Sequence, residues 1–197
     1  NSNMFANMAS QSVEVIEAEQ PVEILAYEFL PDRAGAGQFR GGAPYYREYR
    51  FTEREAVLQV RTDRARFRPY GLYGGRPGQP SANYLNPETD NEKLSSKPTM
   101  NIQRSDVFRH ELAGGGGWGD PLERDPALVL NDVRDELVSE TSARDDYGVE
   151  LKNGGKAVDM AATNARREAL CAERAWSETP TVSWDDDGAE HAIDATE

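Results

Sequence analysis

Four consecutive glycines, Gly114, Gly115, Gly116 and Gly117, stand between the stretch H-E-L-A and the segment W-G-D-P-L-E-R-D-P. A glycine-rich loop that follows a strand and opens a helix can cradle a phosphate, because exposed backbone N–H groups and the helix dipole favour an anion there. This run lacks the Gly-Lys-Ser/Thr ending of a P-loop and is not the G-x-G-x-x-G dinucleotide fingerprint. It also places Asp120, Glu123 and Asp125 where the phosphate would sit. A structural turn with close backbone packing, or a backbone contact to a partner, is the better expectation. Arginine supplies the second chemical candidate. Arg61, Arg64, Arg66, Arg68 and Arg76 flank F-R-P-Y-G-L-Y-G-G. Arg61 and Arg66 could clamp a carboxylate or phosphate, although their odd separation keeps them off one strand face. Pairing with acids across a sheet or a subunit interface is the simpler alternative.

Metal and nucleophile chemistry find little material. A zinc or manganese site needs three or four ligands, and the chain offers two histidines, His110 and His191, and one cysteine, Cys171. Asp106 and His110, four apart on an expected strand, share a face and could supply two ligands; a hydrogen-bonded strand histidine is the plainer reading. No serine sits in a G-x-S-x-G elbow. Cys171 falls in an alanine-rich stretch, where a buried inert thiol is expected. No metal site wholly within this chain is expected, and no self-sufficient active site.

These residues need elements to position them. At 197 residues the chain suffices for one domain with a core, or a domain plus an appendage. The residues from 22 to 30, 45 to 51, 56 to 67 and 99 to 112 read as strands, the last with Q-R-S-D as an internal turn. Residues 31–42 and the stretch R-P-Y-G-L-Y-G-G-R-P-G-Q-P-S are glycine- and proline-rich turn material. After the glycine run the period becomes helical. Asp125 and Pro126 are an N-cap and first-turn pair, followed by Val129, Val133 and Leu137 on one face. Ser139 caps a short helix stopped by Gly148 near Tyr147. A third helix is expected over residues 157–176, with Val158, Ala162, Ala165, Ala169, Ala172 and Trp176 as a packing seam. The fold class is α+β: a β-rich part over residues 1–122, a helical region over 123–176, and an acidic, flexible tail over 177–197.

Charge narrows the partners. The net charge of -13 opposes non-specific binding to nucleic acid or an anionic membrane. Ten arginines face four acids between residues 33 and 76, whereas seventeen acids face seven Lys or Arg from residue 131 onward. The arginine surface is therefore expected to meet carboxylates, of a partner or of this chain. A single cysteine fits a reducing, cytoplasmic compartment, and there is neither a membrane-spanning apolar run nor a secretory signal. The chain opens on Asn1 rather than methionine, which reads as the middle of something longer.

The stretch A-G-G-G-G-W-G-D-P-L-E-R-D-P-A-L-V-L-N-D-V-R-D-E-L-V-S-E-T-S-A-R-D-D-Y-G-V-E-L resembles the C-terminal end of the hydantoinase B/oxoprolinase family. The matching pieces are Gly119-Asp120-Pro121, Arg124-Asp125-Pro126, Asp132-Val133, Val138-Ser139, and Ala143 followed by Tyr147-Gly148-Val149. Collinear matches extend the resemblance over residues 4–167. Ser105-Asp106 stands where the family often has Gly-Asp, Ala113 where proline is common, and Trp118 where tyrosine is frequent. The resemblance implies the C-terminal third of a B-type subunit in an ATP-dependent enzyme that hydrolyses a small cyclic amide. It implies ATP and Mg on a partner A-type ATPase subunit, which phosphorylates the substrate carbonyl. It implies a divalent metal such as Zn or Mn in the upstream remainder of the B-type subunit, and a hetero-oligomer. Ketone carboxylases of the acetone and acetophenone type resemble the same family, and a non-catalytic interaction module is a third alternative. Within this chain the expected contributors are Asp120 as a catalytic group, with Gly114, Gly115, Gly116, Gly117, Arg61 and Arg66 binding substrate or anion.

Overall fold

The computed structural model describes residues 11–173. The expected acidic tail, Trp176 and His191 lie outside the described residues. The chain is α+β, as its strand-then-helix pattern predicts, and it divides into two compact units that alternate along the sequence. Within the described residues, the first unit comprises 11–30, Pro44–Ala65 and Ser81–Leu112; the second comprises Pro31–Ala43, Arg66–Pro80 and 113–173.

The first unit opens with a short helix, α1 (Val13–Glu19), and is otherwise β structure. Its strands are β1 (Val22–Phe29), β2 (Tyr45–Phe51), β3 (Glu55–Gln59), β4 (Ala82–Leu85), β5 (Glu92–Leu94), β6 (Thr99–Gln103) and β7 (Val107–Glu111). Five form one antiparallel sheet in the order β1-β2-β7-β4-β5, and β3 pairs with β6 separately. Register sorts the side chains by face, since alternate residues point to opposite sides. Arg47 and Asn83 are both cross-strand partners of His110, and Tyr49 is that of Phe108, so these five share a face. The other face carries ion pairs: Arg109 with Glu48 and, at 3.1 Å, with Glu88, and Arg50 with Glu23 at 2.9 Å.

The strand expected over residues 56–67 stops at Gln59. Beyond it Val60 and Thr62 still donate to the carbonyls of Pro98 and Ser96, but Arg64 takes a left-handed φ of 64°, which an extended ladder cannot hold. Strands β4 and β5 are joined by a connection in which Asn86 (φ 49°) and Asn91 (φ 47°) adopt the left-handed conformation that asparagine tolerates.

The second unit holds a 3-10 turn (Pro121–Glu123), α2 (Pro126–Arg134), α3 (Glu140–Asp145), the two-residue strands β8 (Leu151–Lys152) and β9 (Ala157–Val158), and α4 (Met160–Glu173). Helix α2 starts where Asp125 accepts from the Ala127 N–H at 2.8 Å, with Pro126 at its first position. Helix α3 starts where Ser139 Oγ accepts from Ser142 N–H at 3.0 Å. Val129, Val138, Ala143, Tyr147 and Val149 are buried together with Ala36, and Val133, Leu151 and Val158 pack against them. The third helix begins later than expected: Ala157 and Val158 pair with β8, and Asp159 caps the helix by accepting from Ala162 N–H at 3.1 Å. Its alanine seam is also corrected, because Ala162, Ala165, Ala169 and Ala172 are exposed. The inner face is carried by polar groups. Thr163 Oγ1 accepts from Glu150 N–H at 3.0 Å, and Arg167 donates to the carbonyls of Tyr147 (3.1 Å) and Arg124 (2.7 Å).

Candidate functional site

The glycine run is the meeting line of three backbone segments in the second unit. Gly114, Gly115 and Gly117 donate their N–H groups to the carbonyls of Gln79 (3.0 Å), Gly42 (3.0 Å) and Arg76 (2.9 Å). Gly115 and Gly117 in turn accept from Gly35 (2.8 Å) and Leu72 (2.9 Å). The outer two segments bond each other, Arg76 N–H to Ala36 and Gln79 N–H to Arg33. Successive glycines therefore face different neighbours. A Cβ on Gly114 would strike Arg33, on Gly116 Tyr70, and on Gly117 Ala36, each a backbone carbonyl inside van der Waals contact. An anion cradle needs several N–H groups converging on one point; here three of four are committed to carbonyls of this chain.

The segment after the run is a sequence of caps ending in a buried ion cluster. Asp120, nearly buried, accepts from Leu122 N–H at 2.9 Å and so forms the 3-10 turn. Arg124 turns inward, donating to Gln38 O (3.1 Å) and to Asp132 Oδ2 (2.9 Å). Arg40 grips the same carboxylate with two bonds, Nε to Oδ2 at 3.1 Å and Nη2 to Oδ1 at 3.2 Å. All three side chains are at least 85% buried, with exposures of 15%, 10% and 10% for Arg40, Arg124 and Asp132. Burial lowers the pKa of Arg167, and the carboxylates of Asp120 and Asp125 oppose that shift. Burial also pushes the Tyr147 phenol up to about 12, against the nearby charges of Arg124 and Arg40.

On the first unit a pocket of about 350 Å³ opens between the sheet face and the chain leaving β3. Tyr49, Phe51, Leu58, Val60 and Phe108 give it apolar walls, with Gln59, Arg61, Thr62 and His110 as its polar members. His110 Nδ1 lies 2.8 Å from Asn83 Oδ1. Asn83, 1% exposed, donates its amide to Ser95 O (3.2 Å) and Thr62 Oγ1 (3.0 Å). That bond to a carbonyl fixes which end of the amide is nitrogen, so Oδ1 must accept and Nδ1 must carry the hydrogen. The lone pair of the neutral ring is then on Nε2. Burial lowers the His110 pKa; the Ala82 carbonyl opposes this and the Arg47 charge adds to it, so the ring is neutral at pH 7.

The expected site residues thus fall in separate places. Asp120 and the four glycines lie in the second unit, as does Arg66, whose guanidinium stands 5.4 Å from the Phe67 ring centre. Arg61 lies in the first unit, on the pocket, donating to Val60 O at 2.9 Å. Asp106 is not on the strand with His110. It caps the β6–β7 turn, accepting from Gln103 N–H (2.8 Å) and Asn86 Nδ2 (3.1 Å). Among the described residues no group of three His, Cys, Asp or Glu is placed to hold a metal. Cys171 is exposed, which corrects the expected buried thiol. Sequence reasoning passed over Asn83 and Thr62, and met Asp132 only as part of a family match. Cross-strand register joins Asn83 to His110, a side-chain bond joins Thr62 to Asn83, and Asp132 and Arg40 are 92 residues apart.

An α+β chain with a glycine-rich backbone junction feeding a capped helix defines the class, and comparison with known proteins fixes it. The sequence profile of the hydantoinase B/oxoprolinase family matches residues 2–121, and the chain belongs to that family. It is 37% identical over 157 residues to an uncharacterised protein, MJ0963, of Methanocaldococcus jannaschii, covering 79% of this chain and 28% of that one. It is 33% identical over 171 residues to the caprolactamase subunit beta of Pseudomonas jessenii, covering 84% and 29%. The crystal structure of the ATP-dependent caprolactamase from that organism superposes with a TM-score of 0.68 at 33% identity, over 81% of this chain and 28% of that one. The chain therefore spans somewhat over a quarter of the length of these relatives. No helix among the described residues is long and apolar enough to cross a membrane.

Proposed function

We propose that this chain is the C-terminal portion of a B-type subunit in an ATP-dependent cyclic-amide hydrolase. The observation that carries the reading is its 33% identity, over four-fifths of its length, to a subunit of an ATP-dependent caprolactamase. In this reading a partner A-type ATPase subunit, holding ATP and Mg, phosphorylates the amide carbonyl oxygen. The resulting phosphorylated amide is a better electrophile, and the B-type subunit directs water onto it. The described residues offer no donor set for the divalent metal that the family reading implies, so no step through a metal is assigned to them.

This chain's part is positional. The three-segment glycine junction and the Arg40–Asp132–Arg124 cluster give the assembly a rigid end, and Asp120 holds the turn between them. Asp120 is also the carboxylate here to test for a direct catalytic part. Arg61 on the first unit and Arg66 on the second are each assigned to anion binding, and Gly116 is the glycine of the run whose N–H makes no bond among the described residues. The test is reconstitution of the chain with the remainder of its B-type subunit and an A-type ATPase subunit. Phosphate release that depends on a lactam and proceeds without bicarbonate is expected. An absolute requirement for bicarbonate and a ketone would instead establish a carboxylase, and failure to co-purify with any sister subunit would leave an interaction module.

A further inference from the structure

The pocket on the first unit holds one residue of the function proposed above, Arg61, and its other parts are also arranged for a ligand. Near-parallel aromatic rings make up one wall of its lining. The rings of Phe108 and His110 are 6° from parallel with centres 6.4 Å apart, and Tyr49 and Phe108 are 24° from parallel at 6.5 Å. Aromatic rings among the lining favour a planar group over a branched chain. Leu58 and Val60 complete the apolar lining.

Two polar features frame this wall. Asn83 occupies His110 Nδ1 and is itself anchored by Ser95 and Thr62, so the ring cannot turn without breaking a buried network. What remains of the imidazole for a ligand is the Nε2 lone pair, an acceptor held in a fixed place. At the rim, Arg61 is exposed and has no carboxylate partner among the described residues. That separates it from Arg40, Arg50, Arg76, Arg109 and Arg124, each of which pairs with an acid. Arg47, across the strand from His110, adds a second positive charge on the same face.

We propose that this pocket binds a small carboxylate built on a flat ring that also carries a hydrogen-bond donor. The ring stacks on Tyr49 and Phe108, its hydroxyl or N–H donates to His110 Nε2, and the carboxylate meets the Arg61 guanidinium. A volume of about 350 Å³ suits a single ring with short substituents. The assignment shares Arg61 with the hydrolase reading and otherwise rests on side chains of the first unit, so binding by the chain alone, without ATP or a sister subunit, tests it separately from turnover.

The test uses the full 197-residue chain and 4-hydroxybenzoate as probe, which has the ring, the donor and the charge. Benzoate lacks the donor and 4-hydroxybenzamide lacks the charge. Calorimetric titration is expected to give sub-millimolar to millimolar binding, weakened about tenfold by removing the carboxylate and about fivefold by removing the hydroxyl. R61Q, at an exposed position, is expected to fold normally and to reproduce the tenfold loss for the acid while leaving the amide unchanged. With 15N-labelled histidine, saturation should move the His110 Nε2 resonance and leave that of Nδ1 nearly fixed. The proposal is overturned if the amide binds as well as the acid, if R61Q binds the acid unchanged, or if the His110 resonances stay still at about 10 mM probe.

Discussion

Asp132 is one carboxylate holding two guanidinium groups away from water, and that arithmetic sets what its loss does. D132A would strand Arg40 and Arg124 in a buried site, and a loss of about 3–5 kcal/mol in urea unfolding is expected. R144A removes a more exposed pair, Arg144 with Glu150 at 3.4 Å, and should change stability by no more than about 0.5 kcal/mol. Tyr147 makes a pH prediction. Its folded pKa of about 12 lies above the unfolded value near 10, so the folded chain resists ionisation that the unfolded chain accepts. Stability is intact below pH 10 and falls as pH rises toward 12, by roughly 2–3 kcal/mol, and Y147F should remove that alkaline limb in a series of thermal melts. At Asp120 the isosteric change separates two roles. D120N keeps an oxygen for Leu122 N–H and should melt close to the parent chain, whereas D120A should lose about 1 kcal/mol. Turnover lost in D120N without a stability change would identify chemistry rather than turn formation.

The elements that were legible in the sequence are those whose cause is local. Asp125 with Pro126, Ser139, and the alternation of β1, β2, β6 and β7 each act within a few residues, and each forms the element it signals. The inner face of α4 was not legible, because apolar periodicity points to alanines while the buried contacts are made by Thr163 and Arg167 for the sake of backbone groups far away in sequence. The same holds for the pocket: β4 is four residues long, and nothing local sets Asn83 beside His110. The glycine junction makes the element-scale prediction. G116A drives a methyl group into the Tyr70 carbonyl, and marked destabilisation or insoluble expression is expected, while G42A, with nothing within 4 Å of its new Cβ, should be close to neutral. Comparative melting of the two variants tests whether position, rather than glycine content, matters.

At the scale of the whole molecule, the alternation of two units along one chain limits how it can be divided. Removing residues after Leu112 takes away the carbonyls of Gly115 and Gly117, to which Gly35 and Leu72 donate. Hydrogen exchange should then show those two amides unprotected, although both remain in the shortened chain. One last consequence concerns length rather than identity. A tract of four glycines is what an engineer would choose as a spacer, and a spacer forgives an added or missing residue. Here every position carries its own address: Gly114 to Gln79, Gly115 to Gly42, Gly117 to Arg76. A fifth glycine would misdeliver every bond downstream of it, so the stretch that looks most forgiving is the one whose count must be kept.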